Sequence, residues 1–268
     1  MNSLLSNKVI AITGSSSRIG QAIATACAQH GANLVLHHLG PRTEKAVYTL
    51  QDKLSTLPQY AEDNGPVVFS GDLTTEHTAE YLVQEAVSTF GRLDGLINTV
   101  AICNFMPAQA VTRSILQQHL DTNFVATYLL AQAATTRLTH QGHGGSIVNV
   151  SSITALLGSA HLTHYAPAKA AVLGMTTSFA TEFGKYGIRY NCVLPGAVDK
   201  NSSRGEEGVR TDERRSAVAD TRIPLARLGT PDDVAGAAVF LVSDLSAYMT
   251  GQHLVVDGGA SVHYHPTD

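Results

Sequence analysis

The chain has 268 residues, 44% of them hydrophobic and 15% charged, with a formal net charge of −4. That composition suits a globular protein with a sizeable core and excludes a basic nucleic-acid surface. No apolar run reaches about 18 residues, so no membrane-spanning helix is expected.

The N-terminal stretch Met1–Lys8 is too short and polar for a secretory signal before the first strand begins. The three cysteines, Cys27, Cys103 and Cys192, are widely spaced and give no disulfide framework. Both features fit a reducing, cytoplasmic setting. The 12 histidines fall into no metal-ligand spacing, so no metal is expected.

Val9–Thr13 is a short β-branched run and reads as a buried strand. Gly14 to Gly20 forms a glycine turn, a helix follows over Gln21–Gln29, and Asn33–His37 is a second strand. A glycine turn at a helix N-terminus offers free N–H groups and the helix dipole to a pyrophosphate. A helix over about Arg42–Leu54 leads to a third strand, Val67–Ser70, with Gly71-Asp72-Leu73 at its C-terminal end. Ligands bind at that edge of open α/β sheets, so Asp72 is a candidate for an adenine amino group; a capping role is its alternative.

Thr75–Phe90 is helical, and Leu93–Asn98 is a fourth strand. Thr112–Arg137 carries one long helical pattern containing Asn123, and Gly144–Val150 is a fifth strand ending at Ser151-Ser152. A helix bearing Tyr165 and Lys169 runs to Gly184, Ile188–Leu194 is a sixth strand stopped by Pro195-Gly196, Pro231–Ser243 is helical, and Gln252–Val256 is a seventh strand. Asp199–Arg222 is polar and dense in charges of both signs; it reads as a mobile lid beside the site or as a solvated loop. The alternation of helices and apolar strands predicts one α/β domain over residues 1–268: a seven-stranded parallel sheet with helices on both faces.

Tyr165 and Lys169 are four residues apart, on one face of their helix. An ammonium one turn from a phenol favours the phenolate and lowers its pKa from about 10. Tyr165 is therefore a candidate general acid/base, with Ser152 as hydrogen-bonding partner for a carbonyl oxygen.

Together these motifs resemble the short-chain dehydrogenase/reductase family over nearly the whole chain. The resemblance rests on Thr13-Gly14…Gly20, Asp72, Asn98, Asn123, Ser152, Tyr165, Lys169 and Pro195-Gly196. It implies a Rossmann-like doubly wound fold and hydride transfer between NAD(H) or NADP(H) and the carbonyl/alcohol pair of a small molecule. Tyr165 would be the proton donor and acceptor, Lys169 would bind the nicotinamide ribose and tune Tyr165, Ser152 would hold the substrate oxygen, and Asn123 would position a relay water. Gly14, Ser16, Arg18, Ile19, Gly20, His37, Asp72, Leu73, Asn98, Pro195, Gly196 and Val198 would join Tyr165 and Lys169 around the cofactor. Within the family, Gly144-Gly-Ser-Ile and Ala160–Ala170 look most like sugar 1-dehydrogenases, notably those acting on L-rhamnose. The family also implies a homotetramer or homodimer, and the apolar circumference of the helices carrying Asn123 and Tyr165 agrees with it.

Three positions depart from the family pattern: Arg18 replaces the middle glycine of the turn, Asn98-Thr-Val-Ala101 replaces Asn-Asn-Ala-Gly, and Lys200 stands where a threonine is common. These departures leave open a ligand-binding protein or a non-redox isomerase or cyclase on the same scaffold. The second strand ends in His37-His38-Leu39-Gly40 with no carboxylate to accept from a ribose 2′-hydroxyl, and Arg42 follows. With Arg18, this points to NADP(H) over NAD(H). His161, a candidate substrate contact, and Thr163 favour a hydroxylated substrate, whereas Phe105, Met106 and Leu156-Leu157 suit a hydrophobic carbonyl.

Overall fold

The computed structural model describes residues 3–60, 65–199 and 223–262. The charged segment read as a lid lies, from residue 200 onward, outside the described residues, as does Lys200.

Seven parallel strands form one sheet in the order β3-β2-β1-β4-β5-β6-β7. They are β1 (Val9–Thr13), β2 (Asn33–His38), β3 (Val67–Ser70), β4 (Gly95–Asn98), β5 (Gly145–Val150), β6 (Ile188–Pro195) and β7 (Gln252–Val256). β1 is buried at every position, as a β-branched run flanked by strands on both sides and helices on both faces should be. It pairs with β2 on one side and β4 on the other, so the strand order reverses there. The crevice beyond the C-terminal ends at such a reversal is where open α/β sheets bind ligands.

The helices are α1 (Arg18–Gln29), α2 (Pro41–Ser55), α3 (Thr78–Phe90), α4 (Arg113–Leu120), α5 (Ala126–Gln141), α6 (Tyr165–Phe183) and α7 (Pro231–Val242). One face of the sheet packs Leu82, Leu130, Ala134, Leu138, Val172 and Phe179 from α3, α5 and α6. The other packs Ile23, Cys27, Val47, Leu50, Val234 and Leu241 from α1, α2 and α7. Each fully buried Leu or Ile side chain is worth roughly 1.5–3 kcal/mol.

Local signals set the helix starts. Ser17 caps α1 by accepting from Gly20 N at 3.1 Å. Thr230 and Asp233 form a capping box for α7, with Pro231 in its first turn. The long helical pattern expected over Thr112–Arg137 is helical without a break from Arg113 to Gln141, and a π-helical turn, Asp121–Val125, joins α4 to α5. A π-turn widens the helix by one residue per turn without altering its composition, so apolar spacing does not reveal it. Among the described residues, no helix is long and apolar enough to cross a membrane. None of their His, Cys, Asp and Glu side chains form a group of three or more able to hold a metal ion.

Candidate active site

A cleft of about 1060 Å³ runs along the C-terminal ends of β1 to β4. Gly14, Ser16, His37, Asp72 and Leu73 line it, with Thr99 from the β4 end. Gly14 has φ +67°, and a Cβ there would stand 2.7 Å from Thr99 Oγ1. At Gly20 a Cβ would collide with the Gly14 carbonyl. Glycine at both positions lets the turn close tightly over the N-terminus of α1, leaving a cradle of backbone N–H groups. A dinucleotide pyrophosphate fits such a cradle.

Arg18, the first residue of α1, is exposed. It lines a groove with Gln21, Thr49, Lys53 and Asp232 rather than appearing among the cleft-lining residues. Ile19 sits beside it in the first turn of α1. Asp72 Oδ1 accepts from Thr74 N at 2.9 Å and Thr74 Oγ1 at 2.7 Å, so it ties the turn after β3 while facing the cleft.

His37 is a strut beneath this cleft. Its Nδ1 accepts from Gly14 N at 3.2 Å, and its Nε2–H donates to Gly71 O at 2.8 Å. Those two backbone partners fix the neutral tautomer. Burial pulls the imidazole down to about 4, outweighing the bond to Gly71.

Asn98 belongs to a buried network. Thr13 Oγ1 donates to Asn98 Oδ1 at 2.6 Å, Asn98 Nδ2 to Thr127 Oγ1 at 2.9 Å, and Thr127 Oγ1 to the Asn123 carbonyl at 3.1 Å. The chain of bonds links β1, β4, α5 and the π-turn. Nothing in the sequence singles out Thr127. Asn123 is fully buried in that turn, and its amide holds the Ile102 backbone from both sides: Ile102 N donates to Oδ1 at 2.8 Å, and Nδ2 donates to Ile102 O at 3.0 Å. The side chain is thereby tied to the Ile102 backbone.

β5 delivers Ser151 and Ser152 to the other end of the site. Ser151 Oγ donates to the Lys169 carbonyl at 2.9 Å and is buried. Ser152 accepts from Thr154 N at 3.2 Å and Thr154 Oγ1 at 3.0 Å, and its hydroxyl stands close enough to the Tyr165 phenol to favour the phenolate. Of the two serines, Ser152 is the one that acts on the phenol. Tyr165 opens α6, and Lys169 lies one turn on, 98% buried, with Nζ donating to Val150 O at 2.9 Å and standing 5.9 Å from the Tyr165 ring centroid.

The expected lowering of the phenol by Lys169 is corrected. Burial, helped by neighbouring Cys103, pushes Tyr165 above its ordinary 10, and the Ser152 hydroxyl offsets this only in part. Burial also pulls Lys169 down from 10.5 to about 8, with Cys192 and Cys103 opposing. Helical spacing puts both side chains on one face, but the ammonium turns toward the strand carbonyl.

Pro195 ends β6 in register with Val256, and Gly196 approaches β7 so closely that a Cβ would lie 2.7 Å from Asp257 Cβ. Val198 bridges to Gly229. His161 is exposed, in a left-handed conformation at φ +64°, and its carbonyl accepts from Met106 N at 3.0 Å. Exposed Phe105, Leu156 and Leu157 stand on the two loops that flank Tyr165.

The site thus has a phenol with a hydroxyl partner and a buried amine at one end, and a pyrophosphate cradle at the other. Such a pair can hold an oxygen and move a proton to or from it. A family model described as enoyl-(acyl carrier protein) reductase matches residues 14–261. The chain is 39% identical over 265 residues to L-rhamnose-1-dehydrogenase of Scheffersomyces stipitis, covering 98% of this chain and 99% of that protein. It is 40% identical over 261 residues to L-rhamnose 1-dehydrogenase (NAD(P)(+)) of Azotobacter vinelandii, covering 97% and 99%. A crystal structure of a short chain dehydrogenase from Bacillus anthracis superimposes with a TM-score of 0.84 at 28% identity, covering 97% of this chain and 99% of that one. From its glycine turn to its Tyr165–Lys169 helix, and at these identities, the chain belongs to the short-chain dehydrogenase/reductase family of oxidoreductases.

Proposed function

We propose that this protein is an NADP(H)-preferring dehydrogenase that works on a polar, hydroxylated carbonyl/alcohol pair such as an aldose at C1. The observation that carries the reading is the Ser152 hydroxyl beside the Tyr165 phenol, one helical turn from buried Lys169, in a fold whose glycine-lined cleft runs along the C-terminal ends of β1 to β4. In reduction, the Tyr165 Oη–H gives its proton to the substrate oxygen, which Ser152 orients; in oxidation the same oxygen takes the proton back. A nicotinamide held in the cleft would supply the hydride chemistry at the substrate carbon. Lys169 holds the ribose beside it, and the backbone of the Asn123 turn orders the water that resupplies the proton. Gly14, Ser16, Ile19, Gly20, Asp72, Leu73, Asn98, Pro195, Gly196 and Val198 hold the rest of the cofactor.

Preference for NADP(H) is supported by the end of β2. His37 is spent on Gly14 and Gly71, the end of β2, residues 37–40, carries no carboxylate, and two exposed guanidiniums, Arg18 and Arg42, sit in the first turns of α1 and α2. Each is adjacent to a residue lining the cleft, Ser17 and Thr43. A guanidinium matches a 2′-phosphate bidentately. The polar substrate is supported by the rhamnose dehydrogenases to which the chain is similar and by exposed His161.

A second reading rests on Phe105, Leu156 and Leu157, which are 75%, 53% and 41% exposed around Tyr165 and would suit a hydrophobic ketone. The enzyme works in the cytoplasm as a homotetramer or homodimer; half-exposed Val125 and Tyr128 beside α5 support an association surface, and light scattering at micromolar concentration tests it.

The test of function is a panel of aldoses, polyols and hydrophobic ketones with both cofactors, followed by nicotinamide absorbance. Oxidation of L-rhamnose or a related aldose, with kcat/KM higher for NADP+, is the expected result. Activity on hydrophobic ketones alone selects the second reading. No absorbance change with any pair returns the chain to a non-redox role.

A further inference from the structure

The loop from Thr99 to Pro107 has no strand or helix of its own, so its backbone groups need partners from elsewhere. Thr99 N and Val100 N donate to Thr13 Oγ1 and Asn98 Oδ1, and further partners hold the rest. Asn123 takes both the N–H and the carbonyl of Ile102. The His164 ring binds the carbonyl of Asn104 at 2.9 Å. Met106 N donates to the carbonyl of His161 at 3.0 Å. Two of these anchors, His161 and His164, belong to the segment leading into Tyr165.

His164 is fully buried, immediately precedes Tyr165 and is the N-cap residue of α6, yet its side chain makes no capping bond to that helix. A carbonyl only accepts, so the bond to Asn104 puts the proton on His164 Nε2. His119, also fully buried, donates from Nδ1 to Ile115 O at 2.9 Å. The two rings meet edge to face, 4.3 Å between centroids and 89° between planes. Their remaining nitrogens, His119 Nε2 and His164 Nδ1, have no hydrogen-bond partner among the described residues. Two histidines are therefore buried here at the expense of one unmet nitrogen each, and the bond His164 does make is to the loop facing the phenol.

We propose that His164 is a positioning residue for the proposed proton-transfer step: its Nε2–H···O bond to Asn104, backed by His119, fixes the 102–106 loop against Tyr165. Between the Ile102 and Asn104 anchors lies Cys103, whose thiol is close enough to Tyr165 and Lys169 to act on both electrostatically. Displacing that loop by about 1 Å moves one wall of the reacting centre, and misplacements of that size cost up to about 10²-fold in rate.

The inference rests on Tyr165 acting as the acid/base, so its test includes a readout that needs no substrate. Of the three cysteines only Cys103 is exposed, and the rate of iodoacetamide alkylation therefore reports the position of this loop. The variants are His164→Gln, whose amide N–H reaches to the Nε2 position, and His164→Asn, whose amide is one bond too short. His164→Gln should keep kcat within about threefold and leave the alkylation rate unchanged. His164→Asn should lower kcat about 10- to 100-fold, leave KM for NADP+ within about twofold, and change the alkylation rate at least about threefold. Equal loss of kcat in both variants, or wild-type kcat and alkylation in His164→Asn, overturns the proposal. If His164→Asn does not fold, His164→Gln still decides, because a loss of kcat or an altered alkylation rate there contradicts the bond's role. If the wild type turns over no substrate, the proposed function fails, while the alkylation rates still test the clamp.

Discussion

The two ends of the site each bury a base, and burial lowers both, with different consequences. At the adenosine end, His37 is pulled to about 4 and both its ring nitrogens are bound to backbone, on Gly14 and Gly71. It is neutral throughout the physiological range and serves as a strut. At the proposed catalytic end, Lys169 is pulled only to about 8, with one bond to Val150 O and the Tyr165 ring nearby. The binding end is built from glycine turns and main-chain bonds and is insulated from pH. The chemical end is built from buried side chains, of which Lys169 changes its charge close to the working range. This division implies that binding and turnover can be damaged separately.

The largest separation comes from Tyr165→Phe. Removing the proton-carrying oxygen should lower kcat at least about 10³-fold, measured by nicotinamide absorbance with the best substrate of the panel. Retention of a tenth of the wild-type rate would mean that another group moves the proton.

Lys169 gives a pH signature of stability. A lysine lowered from 10.5 to about 8 opposes folding while both states are protonated, below about 8, and that cost of about 3 kcal/mol disappears as pH rises toward 10.5. The difference in stability between wild type and Lys169→Met should therefore shift by about 2–3 kcal/mol in favour of the wild type between pH 7 and pH 10, in urea titrations. A pH-independent difference would show that Lys169 is not desolvated.

His37 gives the opposite window. Its neutral form is the one the fold accepts, so its contribution is intact above 6.5 and is lost as pH falls toward about 4. Relative to His37→Asn, the wild type should lose about 2–3 kcal/mol between pH 7 and pH 4.5. An unchanged difference would contradict the strut.

The smallest expected effect concerns cofactor choice. Arg42→Ala should reduce the kcat/KM ratio of NADP+ to NAD+ about tenfold, the worth of one charge-assisted contact of about 1.4 kcal/mol. An unchanged ratio would remove Arg42 from the 2′-phosphate site.

The same division explains what could be read from the sequence. The strands were legible from apolar, β-branched runs: Val9–Thr13, buried throughout, and the edge strand Gln252–Val256, read from its Leu-Val-Val, have in the structure the bounds their composition suggests. That Ser152 and Lys169 lie near Tyr165 was legible from the end of β5 and the helical spacing. Side-chain direction was not legible. Lys169 turns to Val150 O, and burial raises the Tyr165 phenol rather than lowering it. The π-turn at Asn123, the Thr127 link and the His119–His164 contact depend on tertiary packing that leaves no period or motif in the chain.

The central claim is that Tyr165 serves the chemistry and not the grip on the cofactor. Calorimetric titration of Tyr165→Phe with NADP+ tests it most directly. The account gives a Kd within about threefold of wild type in a protein that no longer turns over. A Kd weakened about tenfold or more would contradict it, because the phenol would then be part of the binding end.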